Sequence, residues 1–298
     1  MSRFGILGGG FGLYGYLPAV QSLGFKPLLP LRYRELVLRR SEIEHLNSSI
    51  EYYEDETELI RDAEYIVVAR TPFHQYDLIE NHHDLLSEKK YVFLEKPLAD
   101  GSLHYSQVLK RLDENKIKFS VGYLFRYTVW YRNLLSTLSS KSDKFQIIWR
   151  IPKVNSPWKN DSSLGGGTLK FYGIHLICLL LDIGILEKNI GTYEDDSSFQ
   201  IITSDGLSLE FRGLLVNQNP NFKVANQVNG EVIFSDSTPF GPKPQLGNPD
   251  PRVNFIRQYI SDELSSEHDF KAKIIIEQKL NSLISRPINL ATLNPLLK

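Results

Sequence analysis

The run RFGILGGGFGLYGYLPAV, which begins at Arg3, places a glycine-rich loop between a strand-like and a helix-like segment. Glycines at such a junction let the backbone approach a pyrophosphate and offer N–H groups at a helix N-terminus. Two registers of the G-x-G-x-x-G pattern fit: one runs from Gly10 to Gly15, and the other starts at Gly8 and carries Leu13 at its third position. The loop predicts a dinucleotide site, with an ordinary tight turn as the alternative. The predicted contacts are Gly8, Gly10, Phe11, Gly12 and Leu13.

Strand-like and helix-like runs alternate through residues 1–122. The strand-like runs are Arg3–Leu7, Leu28–Tyr33, Glu64–Ala69, Tyr91–Leu94 and Lys118–Gly122. The helix-like runs are Leu13–Leu23, Glu35–Leu46, Gln75–Leu86 and Ser102–Glu114. This alternation is typical of a parallel sheet covered by helices on both faces, so we expect an α/β Rossmann domain over residues 1–122.

Residues 123–298 show a different pattern, in which strand-like runs dominate. These runs are Phe145–Ile151, Phe199–Thr203, Leu207–Leu215 and Gly230–Phe234, while Thr168–Leu181 and Val253–Leu264 are helix-like. The Pro- and Gly-rich segment Ser237–Pro251 predicts an irregular loop. The pattern predicts an α+β domain over residues 123–298, with a mostly antiparallel sheet and a few helices.

Composition narrows the class of protein. A chain of 298 residues is long enough for two domains, and a net charge of −1 with interspersed charges gives no basic face for nucleic acid. The single Cys excludes an internal disulfide framework, and the apolar run Gly173–Leu181 is too short to span a bilayer. His74, His82 and His83 lack acidic or Cys partners at metal-ligand spacing. We expect a cytoplasmic protein with no metal and no membrane contact.

The end of the second predicted strand bears on the choice of dinucleotide. An NAD-preferring site usually has an acidic residue there, about 20 positions after the glycine loop, to hold the ribose hydroxyls. Here the segment LLPLRYRE places Arg32 and Arg34 at those positions. Arginine accommodates a 2′-phosphate, which predicts that NADP is preferred over NAD. The alternative is that both are solvated arginines beside a helix.

Three further motifs lie beyond the glycine loop. YVFLEKPLADG carries Glu95, Lys96 and Pro97 after a strand-like run, and RTPFHQYDLI has a Thr71-Pro72 turn after another. PWKNDSSLGGGTLKFYGIHLICLLLDIG combines a Trp, a glycine triplet and a G-x-H sequence. In this order and spacing, the chain resembles the Gfo/Idh/MocA family of nicotinamide-dependent oxidoreductases over essentially its whole length.

The resemblance implies a nicotinamide in a cleft, with Lys96 and His175 beside the reacting carbon of the substrate. It implies a secondary alcohol or ketone of a sugar, nucleotide sugar or cyclitol as substrate. It also implies that the second domain binds this substrate and has a large, mostly antiparallel open sheet, which pairs subunits into a homodimer or homotetramer. Glu95, Lys96, Thr71 and Pro72 would then contact the cofactor. The peptide before Pro97 is often cis in similar proteins, so Lys96-Pro97 is a candidate cis bond.

The chemistry of these residue types fits hydride transfer. An ammonium group at Lys96 would favour developing alkoxide charge, and an imidazole at His175 would accept the hydroxyl proton near working pH. The family commonly has Asp four residues before this histidine, where this chain has Phe171. The missing acid leaves three alternatives open: Tyr172 donates the proton, His175 is a core residue, or the protein binds a dinucleotide without turnover.

Four more residues are predicted to bind substrate. Tyr123 and Arg126 follow the last predicted Rossmann strand, where the two domains would meet, and Arg126 would bind substrate or pin that interface. Trp158 and Lys159 precede the glycine triplet. An aromatic face beside a cation suits a sugar ring or a phosphate, and a Trp packed in a loop is the alternative.

Overall fold

The computed structural model describes residues 1–137, 144–153, 156–185, 187–195, 197–203, 208–242, 248–267 and 269–285. Two sequence-based predictions extend beyond these ranges. The first residue of the predicted strand Leu207–Leu215 and residues 243–247 of the predicted loop Ser237–Pro251 lie outside the described residues.

The N-terminal part of the chain forms a six-stranded sheet in which all strands are parallel. The strands are β1 (Arg3–Leu7), β2 (Lys26–Pro30), β3 (Glu51–Tyr53), β4 (Tyr65–Val68), β5 (Tyr91–Leu94) and β6 (Phe119–Val121). Their spatial order is β3-β2-β1-β4-β5-β6, so the chain reverses direction across the sheet at β1 and β4. Open α/β sheets bind ligands at the carboxyl ends of strands beside such a switch point. The predicted Rossmann-like sheet is confirmed.

Helices connect these strands. They are α1 (Leu17–Ser22), α2 (Arg34–Leu38), α3 (Glu56–Asp62), α4 (Pro72–Ser87) and α5 (Ser102–Glu114), and a π-helical turn, Gly12–Tyr16, leads into α1. The predicted strand Leu28–Tyr33 stops at Pro30, and a 3-10 turn covers Leu31–Tyr33. The predicted helix Glu35–Leu46 is only the short α2, followed by a 3-10 turn at Glu44–Ser49. The sequence analysis did not predict β3 or α3, because both are too short to show a clear period.

The second sheet also has six strands. They are β7 (Lys144–Pro152), β8 (Ile190–Glu194), β9 (Ser198–Thr203), β10 (Ser208–Val216), β11 (Asn221–Asn226) and β12 (Val232–Asp236), in the order β12-β11-β7-β10-β9-β8. The pairings are antiparallel except for β7 with β10, which is parallel. The mostly antiparallel sheet is therefore confirmed, and β8 and β11 are additions to the predicted strands.

The two faces of this sheet differ in burial. Along β7, Phe145, Ile147 and Ile151 are fully buried, whereas Ile148 between them is 36% exposed. Leu214 of β10 is 44% exposed. Side chains alternate across a strand, so one face forms a core and the other leaves apolar side chains in contact with solvent.

Five helices complete the described part of the chain. They are α6 (Val129–Thr137), α7 (Pro157–Asn160), α8 (Ile174–Asp182), α9 (Arg252–Ser265) and α10 (Phe270–Ser285), and a π-helical turn, Leu169–Gly173, leads into α8. Of the described residues, no helix is both long and apolar enough to cross a membrane.

The chain divides into two compact units. The first comprises Met1–Ala99, Leu103–Leu124 and Lys243–Ile274, and the second comprises Asp100–Ser102, Phe125–Pro242 and Ile275–Lys298. The sequence-based division into 1–122 and 123–298 follows chain order, whereas α9 packs within the first unit. The Tyr259 hydroxyl on α9 lies 2.7 Å from Ser120 Oγ on β6. Local periodicity carries no information about such a return of the chain.

Candidate functional site

The glycine loop follows β1 directly, and its glycines have different surroundings. A Cβ added at Gly8 would lie 2.2 Å from the carbonyl oxygen of Ala69, which follows β4, so only glycine fits there. A Cβ added at Gly10 would meet nothing within 4 Å. In the other register, a Cβ at Gly15 would meet the Phe11 ring at 2.4 Å rather than the sheet. The geometry favours the register that starts at Gly8, with the buried Leu13 at its third position.

The loop passes directly into helix. The Gly10 carbonyl accepts a hydrogen bond from the Leu13 N–H at 2.9 Å, and helical structure continues through the π-helical turn and α1. The first N–H groups of a helix have no acceptor within it and are directed away from its N-terminus. Together with the open space at Gly10, these groups suit the pyrophosphate of a dinucleotide. The residues present therefore fit this cofactor.

Arg32 and Arg34 lie just beyond β2, as the sequence predicted, but their surroundings differ. The Arg32 guanidinium forms an ion pair with Glu56 at the start of α3, and Arg70 beyond β4 binds the other oxygen of the same carboxylate. The Arg34 guanidinium is exposed and lies 6.0 Å from the centroid of the Tyr52 ring. The sequence analysis did not identify Glu56 or Arg70, because each of them follows a different strand of the sheet from Arg32 and lies far from it in sequence.

Thr71 and Pro72 form the junction between β4 and α4. Thr71 is the residue before the helix, Pro72 is at its first turn, and Thr71 Oγ1 lies 2.7 Å from His74 Nδ1. Proline suits this position because the first N–H groups of a helix have no acceptor within it, so the N–H that proline lacks costs no helical hydrogen bond. The junction lies at the carboxyl end of β4, beside the switch point.

The E-K-P loop follows β5 and contains the cis peptide Lys96-Pro97 that the resemblance implied. Gln75 on α4 holds the backbone of this loop. Its Nε2 donates to the carbonyl oxygens of Glu95 at 2.8 Å and Leu98 at 3.0 Å, and its Oε1 accepts from the Glu95 N–H at 3.0 Å. Gln75 is 0% exposed. The sequence analysis did not predict a role for Gln75. The available signal was a polar residue at the spacing of the apolar face of α4.

The Glu95 carboxyl is enclosed by residues of the same unit. The Tyr16 hydroxyl donates to its Oε1 at 2.6 Å, and a Cβ at Gly122 would lie 2.9 Å from that oxygen. Burial raises the pKa of Glu95 to about 6, although the Tyr16 hydrogen bond and the charge of Lys96 act in the opposite direction. Glu95 therefore titrates close to neutral pH.

Arg252, at the start of α9, packs on the glycine loop. Its guanidinium carbon lies 4.3 Å from the centroid of the Phe11 ring, and Asp250 binds its Nε at 2.8 Å and its Nη2 at 2.7 Å. The charge of Arg252 also lowers the pKa of Glu95. This arginine was not a predicted site residue, since it lies far from the glycine loop in sequence.

His175 lies on α8 in the second unit. It is 5% exposed, and its ring stacks on Phe125 with the centroids 4.3 Å apart and the planes 14° apart. These surroundings are apolar on the stacked face. They are compatible with a positioned imidazole and with a core histidine, which are the two roles that the sequence left open.

Phe171, where similar proteins commonly have Asp, belongs to an aromatic cluster. Its ring centroid lies 5.2 Å from that of Trp158 and 4.8 Å from that of Tyr172, and Lys159 Nζ lies 5.3 Å from the Phe171 centroid. Tyr172 also contacts Trp149 at 5.3 Å. Burial raises the pKa of the Tyr172 phenol to about 12, which makes it a weak acid.

The glycine triplet builds this cluster. A Cβ at Gly166 would lie 1.9 Å from the Trp158 carbonyl oxygen, so the chain passes against α7 only with glycine there. Gly167 has a φ of +82°, which disfavours side chains, and its N–H donates to the Lys159 carbonyl at 3.0 Å. The triplet thereby brings Trp158 and Lys159 beside Phe171.

Arg126 and Tyr123 fall in different compact units. The Arg126 guanidinium binds both carboxylate oxygens of Asp182, at 2.8 and 2.7 Å, and lies 3.1 Å from Cys178 Sγ. Tyr131 donates to the same carboxylate. Because Asp182 already binds the guanidinium through two oxygens, this pairing supports a structural role for Arg126. Tyr123 is 3% exposed.

The fold and the glycine loop define a Rossmann-type dinucleotide-binding protein. Residues 3–123 match the model of the GFO_IDH_MocA family, described as an oxidoreductase family with an NAD-binding Rossmann fold. This match, which covers the N-terminal domain, confirms the resemblance to the oxidoreductase family that the motifs carry. No curated protein matches the chain in sequence.

Solved structures share the whole two-domain fold at low identity. The WlbA dehydrogenase from Thermus thermophilus, in complex with NAD and UDP-GlcNAcA, has a TM-score of 0.68 at 13% identity, with 97% of each chain covered. KijD10, a 3-ketoreductase from Actinomadura kijaniata in complex with NADP and TDP-benzene, has 0.67 at 15%, with 96% of each chain covered. A super-repressor mutant of Gal80p from Saccharomyces cerevisiae has 0.68 at 12%, covering 95% of this chain and 94% of that one.

Proposed function

We propose that this protein is an NAD(P)-dependent oxidoreductase that transfers a hydride to or from a secondary alcohol or ketone of a sugar, nucleotide sugar or cyclitol. The observation that carries the proposal is the Lys96 loop. Hydrogen bonds from the buried Gln75 hold the backbone on both sides of Lys96 at the carboxyl end of β5, in a sheet whose switch point has a loop that fits a dinucleotide. WlbA and KijD10 support the same class of reaction.

The bound nicotinamide would supply the acceptor or donor of the hydride. The glycine loop binds its pyrophosphate, and Glu95, Thr71 and Pro72 contact the cofactor. The Lys96 ammonium stabilises negative charge on the substrate oxygen. The imidazole of His175 accepts the hydroxyl proton in oxidation and returns it in reduction.

His175 is preferred to Tyr172 as the proton-transfer group. A general acid works best when its pKa lies near the operating pH. The pKa of Tyr172, raised to about 12 by burial, is far from that condition. Of the other predicted residues, Tyr123, Trp158 and Lys159 orient the substrate in this proposal, and the ring of Trp158 beside the cation of Lys159 suits a sugar ring or a phosphate. Arg126, which is bound by Asp182, is assigned the structural role instead.

We propose NADP as the preferred cofactor and NAD as the weaker one, because Arg32 and Arg34 lie beyond β2 where an acid would favour NAD. The protein is proposed to be a cytoplasmic homodimer or homotetramer. The exposed Ile148 and Leu214 on the open face of the second sheet support pairing through that face.

A second candidate is a dinucleotide-binding protein without turnover. Phe171 replaces the acid that similar enzymes place before the histidine, and the His175 ring stacks on Phe125 in a largely buried position. The Gal80p repressor shares the fold. These observations support a sensor or structural role for the bound dinucleotide.

One experiment separates the candidates. NADPH and NADH are titrated by fluorescence, and the loaded protein is then assayed for cofactor oxidation or reduction with sugars, nucleotide sugars, cyclitols and their keto forms. Binding with turnover on a member of the panel supports the oxidoreductase. Binding without turnover on the whole panel supports the second candidate, and binding of neither dinucleotide contradicts both.

A further inference from the structure

Glu56 joins two arginines that belong to different strands of the first sheet. Arg32 lies two residues beyond the end of β2, and Arg70 lies two residues beyond the end of β4. The Glu56 carboxylate binds Arg32 through Oε2 and Arg70 through Oε1. We call these residues the Arg32–Glu56–Arg70 triad.

The triad lies at the ligand-binding edge of the sheet. β2 and β4 are the two neighbours of β1, and the glycine loop leaves the carboxyl end of β1. A carboxylate that binds residues beyond both neighbours therefore spans the switch point, where open α/β sheets bind their ligands. In dinucleotide sites the residue beyond β2 faces the adenosine ribose, so the triad is placed at the 2′ position of that ribose.

Burial within the triad is uneven. The side chains of Glu56 and Arg70 are 20% and 18% exposed, whereas that of Arg32 is 53% exposed. Charges that are partly shielded from water interact more strongly than exposed ones. The triad carries two positive charges and one negative charge, and the carboxylate lies between the arginines while its side chain remains 20% exposed.

We propose, on the basis of the proposed function, that Glu56 determines the selectivity between NADP and NAD. Its carboxylate occupies guanidinium groups that a 2′-phosphate would bind, and its charge repels that phosphate. A ribose 2′-hydroxyl instead donates a hydrogen bond to a carboxylate. Glu56 thus takes the role of the acid that is missing beyond β2, and it limits the preference for NADP that Arg32 and Arg34 create.

The proposal predicts the effect of removing the charge. In Glu56→Gln, Arg32 and Arg70 are released for a phosphate, while the side chain keeps its size. The ratio of NADPH affinity to NADH affinity should rise about tenfold, because both the competition and the repulsion are lost. Glu56 is at the first turn of α3, whose start is capped by Asp55, so the helix should persist in the variant.

The test measures binding rather than activity. Calorimetric titrations of NADPH, NADH, adenosine 2′,5′-bisphosphate and AMP are compared for the wild type, Glu56→Gln and Glu56→Ala. Glu58→Gln is the matched control, since Glu58 is exposed on the same helix and its substitution changes net charge equally. Melting curves confirm that each variant is folded, and two substitutions of different size prevent one folding defect from deciding the outcome.

A rise in the NADPH/NADH ratio for both Glu56 variants, mirrored by the bisphosphate over AMP and absent in Glu58→Gln, is the expected result. A wild type that binds dinucleotide while the Glu56 variants keep its ratio overturns the role of Glu56 and leaves the proposed function intact. An equal rise in Glu58→Gln also overturns that role, because it shows an effect of net charge alone. A wild type that binds neither dinucleotide overturns the proposed function, and the inference with it.

Discussion

Gln75 and Glu95 exchange two hydrogen bonds within the first unit. Gln75 Nε2 donates to the Glu95 carbonyl oxygen at 2.8 Å, and the Glu95 N–H donates to Gln75 Oε1 at 3.0 Å. The same Nε2 donates to the Leu98 carbonyl at 3.0 Å. A single buried side chain on α4 thereby satisfies the backbone on both sides of Lys96.

Replacing this glutamine should affect both stability and turnover. Gln75→Leu removes the hydrogen bonds to the carbonyl oxygens of Glu95 and Leu98, which should lower the free energy of unfolding by about 2–4 kcal/mol. Lys96 should lose its fixed position, so turnover should fall more than dinucleotide affinity. Urea unfolding and steady-state kinetics measure the two effects. Gln258→Leu, at an exposed position of α9, is the control. Equal effects of both substitutions would contradict the role of Gln75 in holding the backbone beside Lys96.

Lys96→Ala and His175→Ala should each lower turnover while leaving dinucleotide affinity nearly intact. General acid-base groups typically contribute roughly 10²–10⁴-fold, and a positioned charge contributes a comparable factor. Phe125→Leu is the control for His175, because it removes the stacking partner and keeps the imidazole. A His175→Ala protein that melts several degrees lower but turns over normally per folded molecule would identify His175 as a core residue.

Substitution of Arg32 and Arg34 together by Ala should lower the NADPH/NADH affinity ratio, because both cations lie where a 2′-phosphate would bind. Fluorescence titration of the two dinucleotides measures the ratio. Arg39→Ala is the matched control, since that side chain is 77% exposed on the segment after α2. An unchanged ratio in the double variant would show that the two arginines do not recognise the phosphate.

Glu95 should make stability depend on pH. Burial raises the pKa of its carboxyl from 4.5 to about 6, so the folded state holds the proton more tightly than the unfolded state between those values. The resulting stabilisation is full below about pH 4.5 and is lost as pH rises through about 6. A difference of about 1.5 between the two pKa values corresponds to roughly 2 kcal/mol.

Urea unfolding at pH 4.5 and pH 7 measures this dependence in the wild type and in Glu95→Gln. The wild type should lose roughly 2 kcal/mol relative to the variant over this range. Glu114→Gln, an exposed carboxyl of α5, should follow the wild type. Parallel curves for the wild type and Glu95→Gln would show that Glu95 is not the titrating group.

The open face of the second sheet should be the oligomer interface. Ile148→Asp with Leu214→Asp replaces two apolar side chains of this face, which are 36% and 44% exposed, by charges, and should yield a monomer of 34.2 kDa by light scattering. Val228→Asp, in a loop where that side chain is 63% exposed, should keep the oligomer. A wild type that is monomeric at micromolar concentration would contradict the interface.

Local features of the fold could be predicted from the sequence alone. The glycine loop, the alternation of strands and helices and the Glu95-Lys96-Pro97 motif are contiguous, and their spacing is set by backbone geometry that neighbouring residues impose. The long strands of the second half could also be predicted, because their apolar and polar residues alternate. The three-residue β3 could not be predicted, because a strand that short has too few side chains to show a period.

The folded structure was needed to establish which residues that are distant in sequence contact one another. Gln75 joins Glu95 over 20 positions, and Arg32 joins Glu56 over 24. It also decided that β7 and β10 pair in parallel and that Arg252 packs on Phe11. Pairing of this kind depends on long-range packing rather than on local propensity, so the same residue types read in sequence are compatible with many partners.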